Sequence, residues 1–293
     1  MKALLEFVTA HNGRWACALV FVAAIPLAAQ VNLSGEWVAR QHEDQLERGP
    51  GPELGDYLGI PVNDAARLRA DSWDPSRITL PEEQCRVHLS TYIYRGPMAL
   101  RVWEEKDADS QRVIAIKNYI STYEQTRTIW MDGRPHPSAN APHTWMGFST
   151  GKWEGDMLTV YTTHIKTGWL RRNGLPESER ATMIEHFIRH GNYLTHVSIV
   201  TDPVYMTEPL IKSEDLEFDT SEQTAWLWPC EPVVEVVRPK GVVPSYLPGQ
   251  NPFLHEFAAR WGLPYEPTRG GAETMYPEYR TKLKKMKPEA PLK

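Results

Sequence analysis

Between residues 92 and 201 this chain repeats one pattern, and that pattern constrains its fold more than any other feature. Short apolar runs of period two are broken by turn-forming residues: Tyr92-Ile93-Tyr94, Leu100 to Glu104, Val113 to Lys117 and Thr126 to Met131 are separated by Gly96-Pro97, by a polar run at 106–110 and by Asp132-Gly133. Segments 156–166, 181–189 and 193–201 follow, with weaker candidates at 215–218 and 224–228, while Leu33 with Trp37-Val38 opens the series. Alternation of this kind sends successive side chains to opposite faces of an extended strand, so each run can bury one face. Many short strands with little helical periodicity predict an all-β domain, an antiparallel barrel or, alternatively, a β-sandwich.

The flanking segments differ in character. Lys2 and Arg14 precede the apolar run 15–24, and Ala28-Ala29 stand before polar Gln30 and Asn32, the layout of a secretory signal peptide over residues 1–29. Its apolar run is too short for a confident membrane span, so no stable span is expected after cleavage, and Cys17 would leave with the signal. Residues 30–230 are then the barrel domain. Within it, 41–83 carries Gly-Pro-Gly-Pro at 49–52 and a short helix expected after Asn63, and reads as a covering segment. Residues 231–293 form a Pro-rich C-terminal arm packed on the barrel, its one helix expected from Asn251 to Trp261 and stopped by Gly262. A formal charge of −5 and the lack of a basic block outside the last dozen residues argue against nucleic acid as a partner. Eleven Trp and twelve Tyr suit an aromatic-walled concavity for a small-molecule ligand.

Export would permit a disulfide, and Cys85 and Cys230 are the two cysteines left to make one, with two buried free thiols as the alternative. Taking Gly191-Asn192 as a two-residue turn pairs His190 with Tyr193, Ile188 with Thr195, His186 with Val197 and Ile184 with Ile199. His186 then shares a face with four aliphatic residues and is expected inside, and His196 with Glu185 outside. On the preceding strand Leu158, Val160, Thr162 and His164 share a side, so His164 and His186 are expected to meet inside the barrel and are the candidate catalytic acid/base pair. His143, from a Pro-rich loop, joins them as a candidate ligand set for a divalent metal, though no close-spaced histidine motif is present. His143 and Trp145, with Arg171, Arg172 and Asn173 of a second loop, are the candidate ligand-binding residues, because guanidinium groups grip carboxylates and phosphates in a planar fork. In the enzymatic reading Arg172 stabilises a developing anion.

Two resemblances extend this picture. Gly35-Glu36-Trp37 at the first strand resembles the Gly-x-Trp signature of lipocalin-like barrels, which implies a lipocalin-like barrel whose Trp plugs one end. The run Gly151-Lys152-Trp153-Glu154-Gly155-Asp156, with Thr162-Thr163-His164, Glu185-His186-Phe187 and Asp202-Pro203, is similar to a group of secreted bacterial proteins without assigned function, and implies an exported periplasmic or secreted protein. Binding of a small amphipathic or aromatic molecule is the leading expectation. The alternatives are an enzyme acting on such a molecule and a structural envelope protein.

Overall fold

A computed structural model describes residues 31–40, 52–94, 99–221 and 229–291. The expected signal peptide, the first part of the covering segment at 41–51 and the weak strand at 224–228 lie outside the described residues.

Nine strands close into a barrel: β1 (Gly35–Ala39), β2 (Ala99–Lys106), β3 (Val113–Ile120), β4 (Gln125–Trp130), β5 (Phe148–Glu154), β6 (Met157–Thr163), β9 (Thr182–His190), β10 (Tyr193–Thr201) and β11 (Leu210–Phe218). The order around the barrel is β1, β11, β10, β9, β6, β5, β4, β3, β2, and β2 returns to β1. Closure rules out the sandwich. One contact departs from the antiparallel expectation: β4 and β5 run parallel, with Ile129 opposite Ser149 and Trp130 opposite Thr150. Parallel neighbours need a crossover of a dozen or more residues, and the Pro-rich loop between Trp130 and Phe148 supplies it. Two short strands, β7 (Gly168–Trp169) and β8 (Pro176–Glu177), form a separate ladder.

The hairpin register holds residue by residue, with His186 opposite Val197 and Ile188 opposite Thr195, but the faces are the reverse of those expected. Met183, Glu185 and Phe187 on β9 and Leu194, His196, Ser198 and Val200 on β10 are the buried set, whereas Ile184 is 41% exposed and His186 is half-buried on the outside. Counting aliphatic side chains misplaces the interior because this barrel encloses a charged network, not a purely apolar core. Arg127, fully buried, donates to both Glu185 carboxylate oxygens at 2.8 and 2.5 Å, to Thr162 Oγ1 at 2.7 Å and to the Tyr94 hydroxyl at 3.1 Å. His196 Nε2 lies 3.0 Å from Glu185 and its Nδ1 3.4 Å from Glu214. Burial acts to raise the Glu185 pKa, but the Arg127 charge and hydrogen bonds from Arg127 and His196 outweigh it and hold the carboxyl down at about 2. Burial likewise lowers His196, and here too the neighbours win: Glu185 and Glu214 leave its imidazole above the ordinary value.

At the end of the barrel where β11 finishes, Trp37 lies opposite Phe218. Its indole is fully buried, donates to the Leu33 carbonyl at 2.9 Å and meets Phe218 edge-to-face at 5.1 Å, with the Arg189 guanidinium over the ring at 5.2 Å. Gly35 is required beside it: φ is +133°, and a Cβ there would lie 2.3 Å from the Phe218 ring.

The other end is covered by residues 52–94. Tyr92-Ile93-Tyr94 is a turn instead of the expected strand, and it carries Tyr94 into the barrel, where the hydroxyl accepts from Asn118 at 2.7 Å. Lys212 donates to the Thr91 carbonyl from the opposite wall. Helix α1 (Asp64–Asp71) begins as expected at Asn63, whose side chain accepts from the Ala66 amide. Buried Tyr57, Ile60, Val62, Ala66, Ala70, Leu170 and Leu175 form a second apolar core between this cover and the loop joining β7 to β8. A short helix, α2 (Pro81–Gln84), ends at Cys85, which is disulfide-bonded to Cys230 with Cα atoms 5.5 Å apart.

In the C-terminal arm, helix α3 covers Glu256–Trp261 and ends at left-handed Gly262. It starts later than the expected Asn251. That residue's amide instead donates to the Asp71 and Trp73 carbonyls and fastens the arm to the cover. No helix among the described residues is long and apolar enough to cross a membrane.

Candidate functional site

Above the covered end lies a cavity of about 600 Å³. Four separate stretches build it: the cover, the β3–β4 turn through Tyr123, β7 with the loop that follows it, and the start of the arm. Trp73 and Trp169 meet edge-to-face at 4.7 Å on one wall, while Tyr92 and Tyr123 flank His88 on another, at 4.7 and 5.4 Å between ring centres. Gly174 lets the loop approach this closely, since a Cβ there would lie 2.5 Å from that of Trp73, and its φ is +90°.

The polar groups divide into two kinds. Glu83 bridges Arg86 at 2.7 Å and Arg77 at 3.3 Å, and Glu53 pairs with Arg260, so each of these side chains has a partner of opposite sign, although Glu83 is shared between two guanidinium groups. Arg172 is exposed at the cavity edge and has no side-chain partner among the described residues. Burial, and then the Arg172 charge, push the His88 pKa down to about 4, so its imidazole is neutral at ordinary pH. It can exchange hydrogen bonds with a guest but brings no charge. The arm closes the cavity with Cys230, Glu231, Val233 and Glu235. Gln84 fixes that wall by accepting from the Val233 amide at 2.6 Å and donating to its carbonyl at 2.7 Å.

Of the residues singled out from sequence, Arg171, Arg172 and Asn173 line this cavity. Asn173 is buried and its amide donates to the Asp56 carbonyl at 2.6 Å, so its first task is to hold the loop against the cover. Trp145 stands outside the lining, with the Arg86 guanidinium at 5.1 Å over its ring and at 5.4 Å over that of Trp169. His143 and His164 do approach each other, ring centres 5.1 Å apart, on the outer side near the crossover loop.

The pairing of His164 with His186 inside the barrel is not what the structure contains. Leu158, Val160 and Thr162 face inward as expected, but at His164 the backbone turns left-handed, with φ +57°, and the alternation ends. His164 Nε2 then donates to the Ser138 carbonyl at 2.9 Å and its Nδ1 takes the Thr163 hydroxyl at 2.7 Å. His186 contacts Thr159 Oγ1 at 3.1 Å on the outer face of the sheet. His143, His164 and His186 therefore do not converge, and no group of three or more His, Cys, Asp or Glu side chains among the described residues is arranged to hold a metal.

Sequence reasoning passed over His88, Tyr92, Tyr123 and Trp73. For His88 and Tyr92 a usable signal was present: a Cys85–Cys230 bridge obliges residues near 85–92 to lie close to those near 230–235. Compared with models of known protein families and with curated proteins, the chain matches none.

Proposed function

We propose that this protein binds a small amphipathic, aromatic molecule in the cavity between the cover, the β7–β8 loop and the arm, and that it does so as an exported protein of the secreted bacterial group its motifs resemble. The observation that carries the reading is the cavity itself. About 600 Å³ is the size of a small-ligand site, and four aromatic rings with a few placed polar groups are its usual lining. Arg172 offers an unmatched guanidinium at the edge, and neutral His88 a hydrogen-bonding group between two tyrosines. The barrel interior is a poorer host, because Arg127, Glu185, Tyr94 and His196 already fill it with mutually satisfied hydrogen bonds.

The test is a fluorescence titration with the neutral probe N-phenyl-1-naphthylamine. Saturable binding is expected, weakened about tenfold by Tyr123→Ala, in line with the ~1–3 kcal/mol of burying one aromatic wall. Absence of saturable binding, or an affinity indifferent to Tyr123→Ala, refutes the assignment.

A further inference from the structure

A second cavity, of about 440 Å³, lies behind the Trp73–Trp169 pair. Those two rings and Arg86 line both cavities and form the partition between them. The second cavity has a different chemistry. Arg69, Arg77 and Arg86 line it together with Ser72, Thr167 and Ser245, and Asp74 is the one acidic residue in its lining.

The charges there do not balance. Glu83 serves Arg77 and Arg86 at once, at 3.3 and 2.7 Å. Asp74 is engaged in capping the 3-10 turn Pro75–Thr79, accepting from the Ser76 amide at 2.9 Å. Arg69, in the last turn of α1, has no side-chain partner among the described residues. Three arginines lining one concavity, with Asp74 in its wall and Glu83 shared behind two of them, leave a net positive charge. Like charges gathered in a cleft repel unless an anion joins them. Guanidinium groups are also the side chains best shaped for that anion, since each presents parallel N–H donors to two oxygens of a carboxylate, sulfate or phosphate.

We propose that this second cavity is an oxyanion site, taking a phosphate, sulfate, sulfonate or carboxylate group across Arg69, Arg77 and Arg86. The anion is either a free ion or the acid end of a ligand whose aromatic part occupies the first cavity, and the shared Trp73–Trp169 partition makes both detectable through tryptophan fluorescence. The inference goes beyond the first cavity and does not depend on it: failure of the neutral probe to bind would leave an anion result standing.

The experiment titrates inorganic phosphate into the full protein at constant ionic strength and follows the thermal midpoint and tryptophan emission. It then repeats the titration with 1-naphthyl phosphate. Arg69→Gln is the test variant, because Arg69 is exposed and its loss breaks no internal bond, and Arg69→Lys retains the charge without the fork. Arg134→Gln, whose guanidinium pairs with Asp132 on a different segment, is the control. We expect saturable phosphate binding weakened about tenfold in Arg69→Gln, the scale of one charge-assisted hydrogen-bonding group, less in Arg69→Lys and not at all in Arg134→Gln. Binding of 1-naphthyl phosphate alone, with the same Arg69 dependence, supports the site and assigns the anion to the ligand's acid end. An identical response of the parent and Arg69→Gln to both anions, or no response to either, overturns the proposal.

Discussion

The Arg127–Glu185 pair gives the sharpest prediction about what holds the barrel in one form. Both side chains are fully buried, two parallel N–H···O bonds join them, and Thr162, Ser149, Tyr94 and His196 satisfy the remaining valences. Glu185→Gln keeps the shape but strips the carboxylate from a buried guanidinium. Removing one partner of such a pair costs about 3–5 kcal/mol, because the other charge stays buried and uncompensated. Replacing both, as in Arg127→Met with Glu185→Leu, removes the uncompensated charge and should cost clearly less than the sum of the single changes. For a domain of this size about 1 kcal/mol lowers Tm by roughly 2–4 °C, so Glu185→Gln is expected to melt about 6–20 °C below the parent. Urea denaturation followed by circular dichroism, run on all four members of the cycle, measures the coupling. Strict additivity, or a loss under about 1 kcal/mol for Glu185→Gln, would refute the reasoning.

Other consequences can be checked separately. Burial, acting first, raises Glu177 to about 8, and neither of its oxygens closes a hydrogen bond of good geometry. The folded state therefore holds a proton that the unfolded chain releases near 4.5, so its contribution to stability is full below that pH and is lost as pH rises toward 8. Glu177→Gln should be more stable than the parent at pH 8 by about 1–2 kcal/mol, with the gap shrinking toward pH 4, and denaturation at the two pH values reads it. Reducing the Cys85–Cys230 bridge, which spans 145 residues, should lower stability by up to about 5 kcal/mol and also weaken N-phenyl-1-naphthylamine binding, since the arm wall of the cavity begins at Cys230. Parallel melting and titration with and without reductant test both parts.

Much of the barrel was legible from alternation and turn chemistry. The Gly191-Asn192 turn fixes the β9–β10 register, and Asn63 places the start of α1. Facing was not legible there, because period two says only that residues alternate and leaves open which set is inside. Four aliphatic residues beside His186 outvoted Glu185 and His196, whose burial depends on Arg127, a partner 58 positions from Glu185 that no local pattern reveals. The crossover to a parallel β5 was hidden in a loop whose prolines identify it as irregular without saying where it leads. For the site, Arg171, Arg172 and Asn173 were found through their chemistry. His88 and the tyrosines around it were not, since their role depends on the cover folding back over the barrel end. His164 illustrates the remaining limit: one left-handed residue at a strand end removes a side chain from the face that alternation assigns to it.

The central claim is that the guest sits in the covered cavity and not inside the barrel. Val233→Trp tests it most directly, because Val233 lines the arm wall, is 56% exposed, and is held there through its backbone by Gln84, so a larger side chain can fill the cavity without disturbing a core. The prediction is that the variant keeps the parent Tm and loses N-phenyl-1-naphthylamine affinity by about tenfold or more, the effect of displacing the probe from well-packed aromatic contacts. An unchanged affinity in a folded Val233→Trp protein would contradict the account.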